Sequence, residues 1–179
     1  MAASPYIEAG PGDGLPRLIL SFDGGARAIA PGGARVAGAG AVLWSLSPRD
    51  LSLTLRAEAW AALPGEAWAP IAEAWGLHLA LQLLLRAGEP CLSCQVVGDN
   101  LAVLRFAAAQ GSLRNPAHEG ILSPTLSQLA LRGIDPTWLA VRRRFNKAAD
   151  LRATAAVHWA AGLAAAGTLD PVARSVWHW

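Results

Sequence analysis

The segment LILSFDGGARA, residues 18–28, alternates apolar side chains and then places a carboxylate directly before two glycines. In an extended strand, Leu18, Leu20 and Phe22 share one face, and Asp23 lies on the opposite face. Aspartate before glycine is often a turn residue, because its side chain hydrogen bonds to nearby backbone groups. The alternative is a chemical role at the end of a buried strand, and the other acids of the chain bear on this choice.

The composition of the 179-residue chain is that of one folded domain with a substantial core. Hydrophobic residues make up 53% and charged residues 16%, which excludes an intrinsically disordered protein. The formal net charge is only +2, so the chain has no strong polyelectrolyte field. All its basic residues except Lys147 are arginine, which suits bidentate phosphate contacts, although a codon bias would give the same composition.

Membrane insertion and secretion find no support in the sequence. No apolar run is long enough to span a bilayer, and the first residues lack the basic and apolar regions of a signal peptide. We therefore expect no membrane partner and an intracellular location, in the cytoplasm or the nucleus. Cys91 and Cys94 have the spacing of one pair of zinc ligands, but a structural zinc site needs four ligands and the sequence has no second pair. We therefore expect no structural zinc.

The order of predicted elements indicates an α/β fold. Three strand-like segments follow one another closely, which favours an antiparallel meander; they are residues 17–22, 37–47 and 51–60. Helices and strands then alternate through residues 64–88 (helix), 91–99 (strand), 100–110 (helix), 123–133 (helix), 137–144 (strand) and 146–167 (helix). This order predicts a mixed sheet with helices on both faces. We expect residues 1–16 to be a flexible lead-in, 17–167 the domain, and 168–179 a tail.

Several details of these elements can be predicted from local signals. Ser123 is the expected N-cap of its helix, with Pro124 at the first helical position. Asn146 is the expected N-cap of the last helix. The basic run 142–144 would lie in a strand and alternate between two faces, as a solvated strand end or in contact with phosphate.

Three further acids lie where an apolar or capping residue would be ordinary. Glu73 shares a helix face with Leu77 and other apolar residues, Asp99 ends an apolar strand, and Asp150 begins the last helix. Taken singly, Asp99 suits an N-cap, and Glu73 and Asp150 suit the positive end of a helix. All four acids belong to elements that can meet at one sheet edge. This favours a carboxylate cluster neutralised by Mg²⁺, and two such ions can clamp a phosphodiester.

Four stretches of the sequence resemble, in order, the motifs of type 1 ribonuclease H, including its retroelement and plant-like branch. They are FDGGARAIAPGGARVAGAGAVLW, PIAEAWGLHLALQLLLRAG, CQVVGDNLAVL and LAVRRRFNKAADLRATAA. The resemblance runs from about Leu18 to Ala165. It implies a mixed five-stranded sheet flanked by helices and two-metal hydrolysis of RNA paired with DNA, leaving a 3′-hydroxyl and a 5′-phosphate.

The resemblance also implies roles for individual residues. The catalytic residues and ligands of two Mg²⁺ ions, which Mn²⁺ can replace, would be Asp23, Glu73, Asp99 and Asp150. The nucleic-acid-binding residues would be Gly24, Gly25, Ala26, Arg27, Asn100, Arg143 and Asn146. The small residues after Asp23 would let backbone approach the RNA strand, and Asn146 would cap and orient the last helix.

Two departures from the family pattern support an alternative function. The stretch VRRRFNKAAD lacks the histidine that many members hold before the last aspartate, and a basic handle helix is also missing. The alternative is a non-catalytic RNase H-like binding or assembly subunit of a larger nucleoprotein complex. The Trp-rich tail SVWHW, residues 175–179, would then dock onto a protein partner. A transposase-like relative would use the same fold, but the glutamate on the first helix fits type 1 better.

Overall fold

The computed structural model describes residues 16–29, 35–63, 68–88, 93–109, 116–169 and 174–179. One sheet carries helices on both of its faces. The strands are β1 (Arg17–Ala28), β2 (Arg35–Leu46), β3 (Leu53–Leu63), β4 (Ser93–Gly98), β5 (Thr137–Ala140) and β6 (Arg174–His178). The helices are α1 (Ala69–Ala87), α2 (Leu101–Ala107), α3 (Pro116–Leu131) and α4 (Lys147–Ala165). The predicted lead-in, up to residue 15, and Cys91 lie outside the described residues.

The sheet has the strand order β5-β4-β1-β2-β3-β6. Strands β1, β2 and β3 form the predicted antiparallel meander, and β4 and β5 continue the sheet in parallel from β1. The predicted mixed α/β sheet is thus confirmed, with one correction: it has six strands rather than five. The sixth comes from the predicted tail, because β6 pairs antiparallel with β3 and covers the edge that β3 would otherwise expose.

The core follows the alternation of β1. Leu18, Leu20 and Phe22 are buried in the main core cluster with apolar residues of α1, α2 and α3. On the opposite face, Val36 of β2 packs with Val157 and Ala160 of α4. Strand β1 is therefore covered on both sides, and α4 alone among the four described helices packs on the second face.

Glycines of β2 set the distance between the sheet and α4. A Cβ atom at Gly38 would lie 2.4 Å from the backbone nitrogen of Val157, and one at Gly40 would lie 2.4 Å from that of Ala153. Any side chain at either position would push α4 away from the sheet. The two glycines therefore allow α4, which carries Asp150, to pack at close distance on the sheet.

Several predicted boundaries were wrong, and strand β1 continues to Ala28 rather than ending at residue 22. Helix α3 begins at Pro116 rather than after Ser123, and Pro124 lies inside it. The burial of Leu122 and Leu129 on either side of Pro124 favours the continuous helix despite the lost backbone hydrogen bond. Strand β5 ends at Ala140, and residues 143–145 form a 3₁₀ turn, so the basic run does not alternate along a strand.

The other helix ends agree with the local signals. Helix α1 has proline in its first turn and ends at Gly88, whose φ of 60° is the left-handed conformation that glycine favours. No helix in the described parts of the chain combines the length and apolar character that crossing a membrane requires.

Candidate active site

Three of the four predicted acids come together at one edge of the sheet. One carboxylate oxygen from each of Asp23, Glu73 and Asp99 lies within 4.8 Å of the others. Asp23 lies in β1, Asp99 directly follows the parallel strand β4, and Glu73 lies near the start of α1. Asp23 is only 3% exposed, and the other two are half-buried. The predicted meeting of acids at one side of the sheet is thus found for three of the four, although Asp23 lies within β1 rather than at its end.

Two facing glycines bring Glu73 to Asp23. A Cβ atom at Gly24 would lie 2.1 Å from the backbone of Ala72, and one at Gly76 would lie 2.4 Å from the backbone oxygen of Asp23. Helix α1 therefore packs backbone to backbone on β1, which a side chain at either glycine would prevent. The space beside Gly24 is filled by α1, so helix packing explains this glycine, which the resemblance had placed against the RNA strand.

Burial and mutual repulsion disfavour the ionised forms of these acids. Burial, followed by the charges of Asp23 and Asp99, raises the pKa of Glu73 from 4.5 to about 8. Burial, followed by the charge of Asp99, raises the pKa of Asp23 from 3.8 to about 7. The Oε2 atom of Glu73 is buried without a hydrogen-bonding partner among the described residues. The positive charge of Arg143 lowers the pKa of Glu73, but burial and the neighbouring carboxylates outweigh it.

Asp150 adjoins this cluster but is neutralised differently. The Nε atom of Arg143 donates to its Oδ1 atom at 3.1 Å, and Nη2 of Arg143 also contacts Oδ1. Asp150 raises the pKa of the Arg143 guanidinium above its ordinary value. Asp150 lies close enough to Asp23 to raise the pKa of that carboxyl. Asp150 thus lies next to Asp23 with its charge paired to an arginine.

Asn146 joins three segments of the site. Its side chain is 1% exposed, and Nδ2 donates to the backbone oxygen of Phe22 at 2.7 Å and to Oδ1 of Asp99 at 3.4 Å. It occupies the predicted N-cap position of α4, but its side chain makes no capping hydrogen bond. Its amide instead binds the backbone of β1 at Phe22 and the Asp99 carboxylate.

Asn100, rather than Asp99, caps the helix that follows β4. The side chain of Asn100 accepts a hydrogen bond from the backbone nitrogen of Val103 at 3.2 Å. Asp99 is therefore not needed as a cap, and its carboxylate is available to the cluster. This removes the structural explanation that the sequence left open for Asp99.

A groove runs from the acids along α4, with a volume of about 260 Å³. We call it the α4 groove. Of the predicted nucleic-acid-binding residues, Gly25, Ala26, Arg27 and Arg143 line it. Sequence reasoning missed Thr154 and His158, which also line it. Their positions, four and eight residues after Asp150, are the signal that could have identified them.

The strand order, the helix placement and the acidic cluster define an RNase H-like fold. Solved structures of type 1 RNase H domains are its structural neighbours. The N-terminal RNase H domain of a Mycobacterium tuberculosis protein, solved as a fusion with maltose-binding protein, has a TM-score of 0.63 and 27% identity, covering 83% of this chain and 99% of that one. LC11-RNase H1, isolated from compost by a metagenomic approach and crystallised with an RNA/DNA hybrid, has a TM-score of 0.64 and 21% identity, covering 80% and 98%.

The RNase H1 of the halophilic archaeon Halobacterium salinarum NRC-1 has a TM-score of 0.57 and 25% identity, covering 80% of this chain and 96% of that one. No family model matches the sequence, and comparison with curated proteins finds no match. The predicted resemblance to type 1 ribonuclease H is confirmed, and its assignment to the retroelement and plant-like branch stays a prediction.

Proposed function

We propose that this protein is a metal-dependent endonuclease that hydrolyses the RNA strand of RNA–DNA hybrids. The observation that carries the proposal is the cluster of Asp23, Glu73 and Asp99, whose carboxylate oxygens converge within 4.8 Å in a largely buried position. Buried acids that repel one another are costly unless a cation neutralises them. One structural neighbour, LC11-RNase H1, was crystallised with an RNA/DNA hybrid, which supports the choice of substrate.

The donor set of the cluster fits Mg²⁺ or Mn²⁺. All three groups offer carboxylate oxygens, which these hard cations prefer, and the partnerless Oε2 atom of Glu73 is a free ligand atom. Asp150, which lies beside Asp23, would complete the ligands of a second ion. The chemistry that two bound ions supply is activation of a water molecule and stabilisation of the leaving oxygen.

The protein's own residues would hold this site and the substrate in fixed positions. Asp23 lies beside Asp150 as well as beside Glu73 and Asp99, so its carboxylate would be available to either ion. Asn146 links the Asp99 carboxylate to the backbone of β1 at Phe22. Arg143, whose side chain is 72% exposed, would contact the substrate phosphate from the side of Asp150.

Cleavage of a labelled RNA–DNA hybrid in Mg²⁺, and separately in Mn²⁺, tests the proposal. We expect the wild-type protein to cut the RNA strand of the hybrid and to leave single-stranded RNA, double-stranded RNA and duplex DNA intact. Asp99→Asn should abolish cleavage, whereas Asp135→Asn, on an exposed aspartate outside the cluster, should retain it. Equal inertness of the wild type and Asp99→Asn in both metals would refute the proposal.

The second candidate is the non-catalytic binding or assembly subunit. It is favoured by Arg143, which neutralises Asp150 without any metal. This function predicts hybrid binding without cleavage in either metal, and assembly that survives substitution of the acids. The predicted protein partner would have to use Trp179, which is 62% exposed, because Trp177 packs against the core beneath Arg86.

A further inference from the structure

The α4 groove extends well past the acids. Its walls come from the end of β1 at Gly25 and Arg27 and from α4 at Thr154 and His158, while Asp150 stands at one end. Because α4 rises about 1.5 Å per residue, His158 lies about 12 Å along the helix from Asp150. Successive charges of one strand lie only about 3.4 Å apart along a duplex axis, so His158 would lie beyond the phosphate that meets the acids.

One ridge of α4 presents polar side chains to this groove. Asp150, Thr154 and His158 are spaced by four residues, so they lie above one another on the same helix face. Thr154 and His158 are exposed although Val157 beside them is buried. Nothing in the packing of α4 therefore requires a hydroxyl and an imidazole at these two positions.

The lining has the charge and hydrogen-bonding character that suits a phosphodiester. Arg27 supplies a cation, Thr154 supplies a hydroxyl donor and His158 a ring N–H donor, whereas the acids Asp23 and Asp150 lie at one end. The nearest atom to a Cβ built at Gly25 would be 3.8 Å away, on Val157, so Gly25 is not a packing glycine as Gly24 is. The missing side chain instead leaves the floor of the groove open.

We infer that the α4 groove binds the backbone of the cleaved strand beyond the bond that is cut, with Arg27, Thr154 and His158 as its phosphate contacts. This inference rests on the proposed function. It adds residues that hold substrate at a distance from the chemistry, so their loss should weaken binding and leave the chemical step intact.

Hybrid binding is measured first, with Asp99→Asn as the background so that cleavage does not interfere. Adding Arg27→Ala or His158→Ala should weaken binding about three- to tenfold, as expected for one lost hydrogen bond. Arg27→Ala should also reduce the slope of log K against log salt by about 1. The controls are Arg49→Ala and His178→Ala, which remove an exposed arginine and an exposed histidine outside the groove.

The position of the contact is tested with neutral methylphosphonates placed singly along the cleaved strand. A substitution at a phosphate beyond the cleaved bond should weaken binding to Asp99→Asn, and should cause no further loss once His158→Ala is added. In the active protein, His158→Ala and Thr154→Val should raise KM and leave kcat unchanged.

The results separate this inference from the proposed function. If the wild type cleaves hybrid but the groove variants bind as tightly as the controls, the inference is wrong and the nuclease stands. If hybrid binds through the groove but is never cut, the groove is supported and the nuclease is refuted. Absence of any hybrid binding overturns both.

Discussion

Asn146 is the residue on which the geometry of the acids depends most directly. Pairing between β1 and β4 ends at Ser21, so the next backbone oxygen, that of Phe22, lies beyond the ladder and receives its hydrogen bond from Asn146. The same amide reaches the Asp99 carboxylate. One side chain thus satisfies a buried carbonyl and fixes an acid of the cluster.

Removal of this amide should cost both stability and activity. Asn146→Ala leaves the Phe22 oxygen without its partner, which costs about 1–3 kcal/mol of unfolding free energy. Urea unfolding measures this loss, and hybrid cleavage should fall because Asp99 is no longer held. Asn100→Ala, which removes the cap of α2 and a neighbour of Glu73, should cost about 1 kcal/mol of unfolding free energy. An Asn146→Ala protein as stable and active as the wild type would contradict this assignment.

The buried acids predict how the stability of the metal-free protein depends on pH. The folded state raises the pKa values of Asp23 and Glu73 to about 7 and about 8, above the 3.8 and 4.5 of the unfolded chain. Protonation therefore favours the folded state, and this contribution is lost as the pH rises from about 4 through about 8. His78 and His118, whose pKa values burial lowers, act in the opposite direction.

Comparison of a variant with the wild type separates the contribution of the acids to the pH dependence of stability from that of the histidines. In EDTA, the difference in unfolding free energy between Glu73→Gln and the wild type should grow in favour of the variant from pH 5 to pH 8, since the glutamine amide stays neutral. Chemical denaturation at each pH gives this difference. A difference independent of pH would mean that Glu73 is ionised in the folded protein throughout this range.

At the scale of elements, the contact between α1 and β1 is the most sensitive to substitution. A Cβ atom at Gly24 would collide with the backbone of α1, which has no flexible atoms to move aside. We expect Gly24→Ala to destabilise the protein by about 1–3 kcal/mol and to lower cleavage by moving Glu73.

Gly162→Ala is the matched control for this prediction. Gly162 lies in α4 with no atom within 4 Å of its Cβ position, and alanine there should stabilise the helix by about 0.5–1 kcal/mol. Thermal unfolding of the two variants should therefore move in opposite directions. Equal shifts would refute the close packing of α1 on β1.

The elements that carry the acids could be predicted because each has a strong local signal. The alternation from Leu18 to Phe22 predicted β1, and the left-handed glycine Gly88 marked the end of α1. The start of α3 could not be predicted, because Pro124 is an ordinary first helical residue and only contacts with α1 extend the helix to Pro116. The pairing of Arg143 with Asp150 depends on a long side chain whose direction no sequence period specifies.

At the scale of the whole molecule, metal binding should be visible as stability. A ligand that binds only the folded state raises its stability by RT ln(1 + [L]/Kd), so Mg²⁺ should raise Tm. The rise in Tm should be larger at pH 8 than at pH 6, because carboxylates must be deprotonated to bind the metal. The pKa values of Asp23 and Glu73 are about 7 and about 8, so both are largely protonated at pH 6. NaCl at equal ionic strength is the control. A Tm shift equal in NaCl and MgCl₂ would exclude specific binding.

The pairing of β6 with β3 has a consequence for how the chain reaches its fold. Glu58 and His178 are register partners although about 120 positions separate them, so closing this contact costs more chain entropy than any hairpin of the meander. High contact order of this kind slows assembly. Until β6 pairs with β3, the backbone hydrogen-bonding groups at the outer edge of β3 are unpaired. During synthesis, when other copies of the chain are nearby, this edge would be open to pairing with their strands.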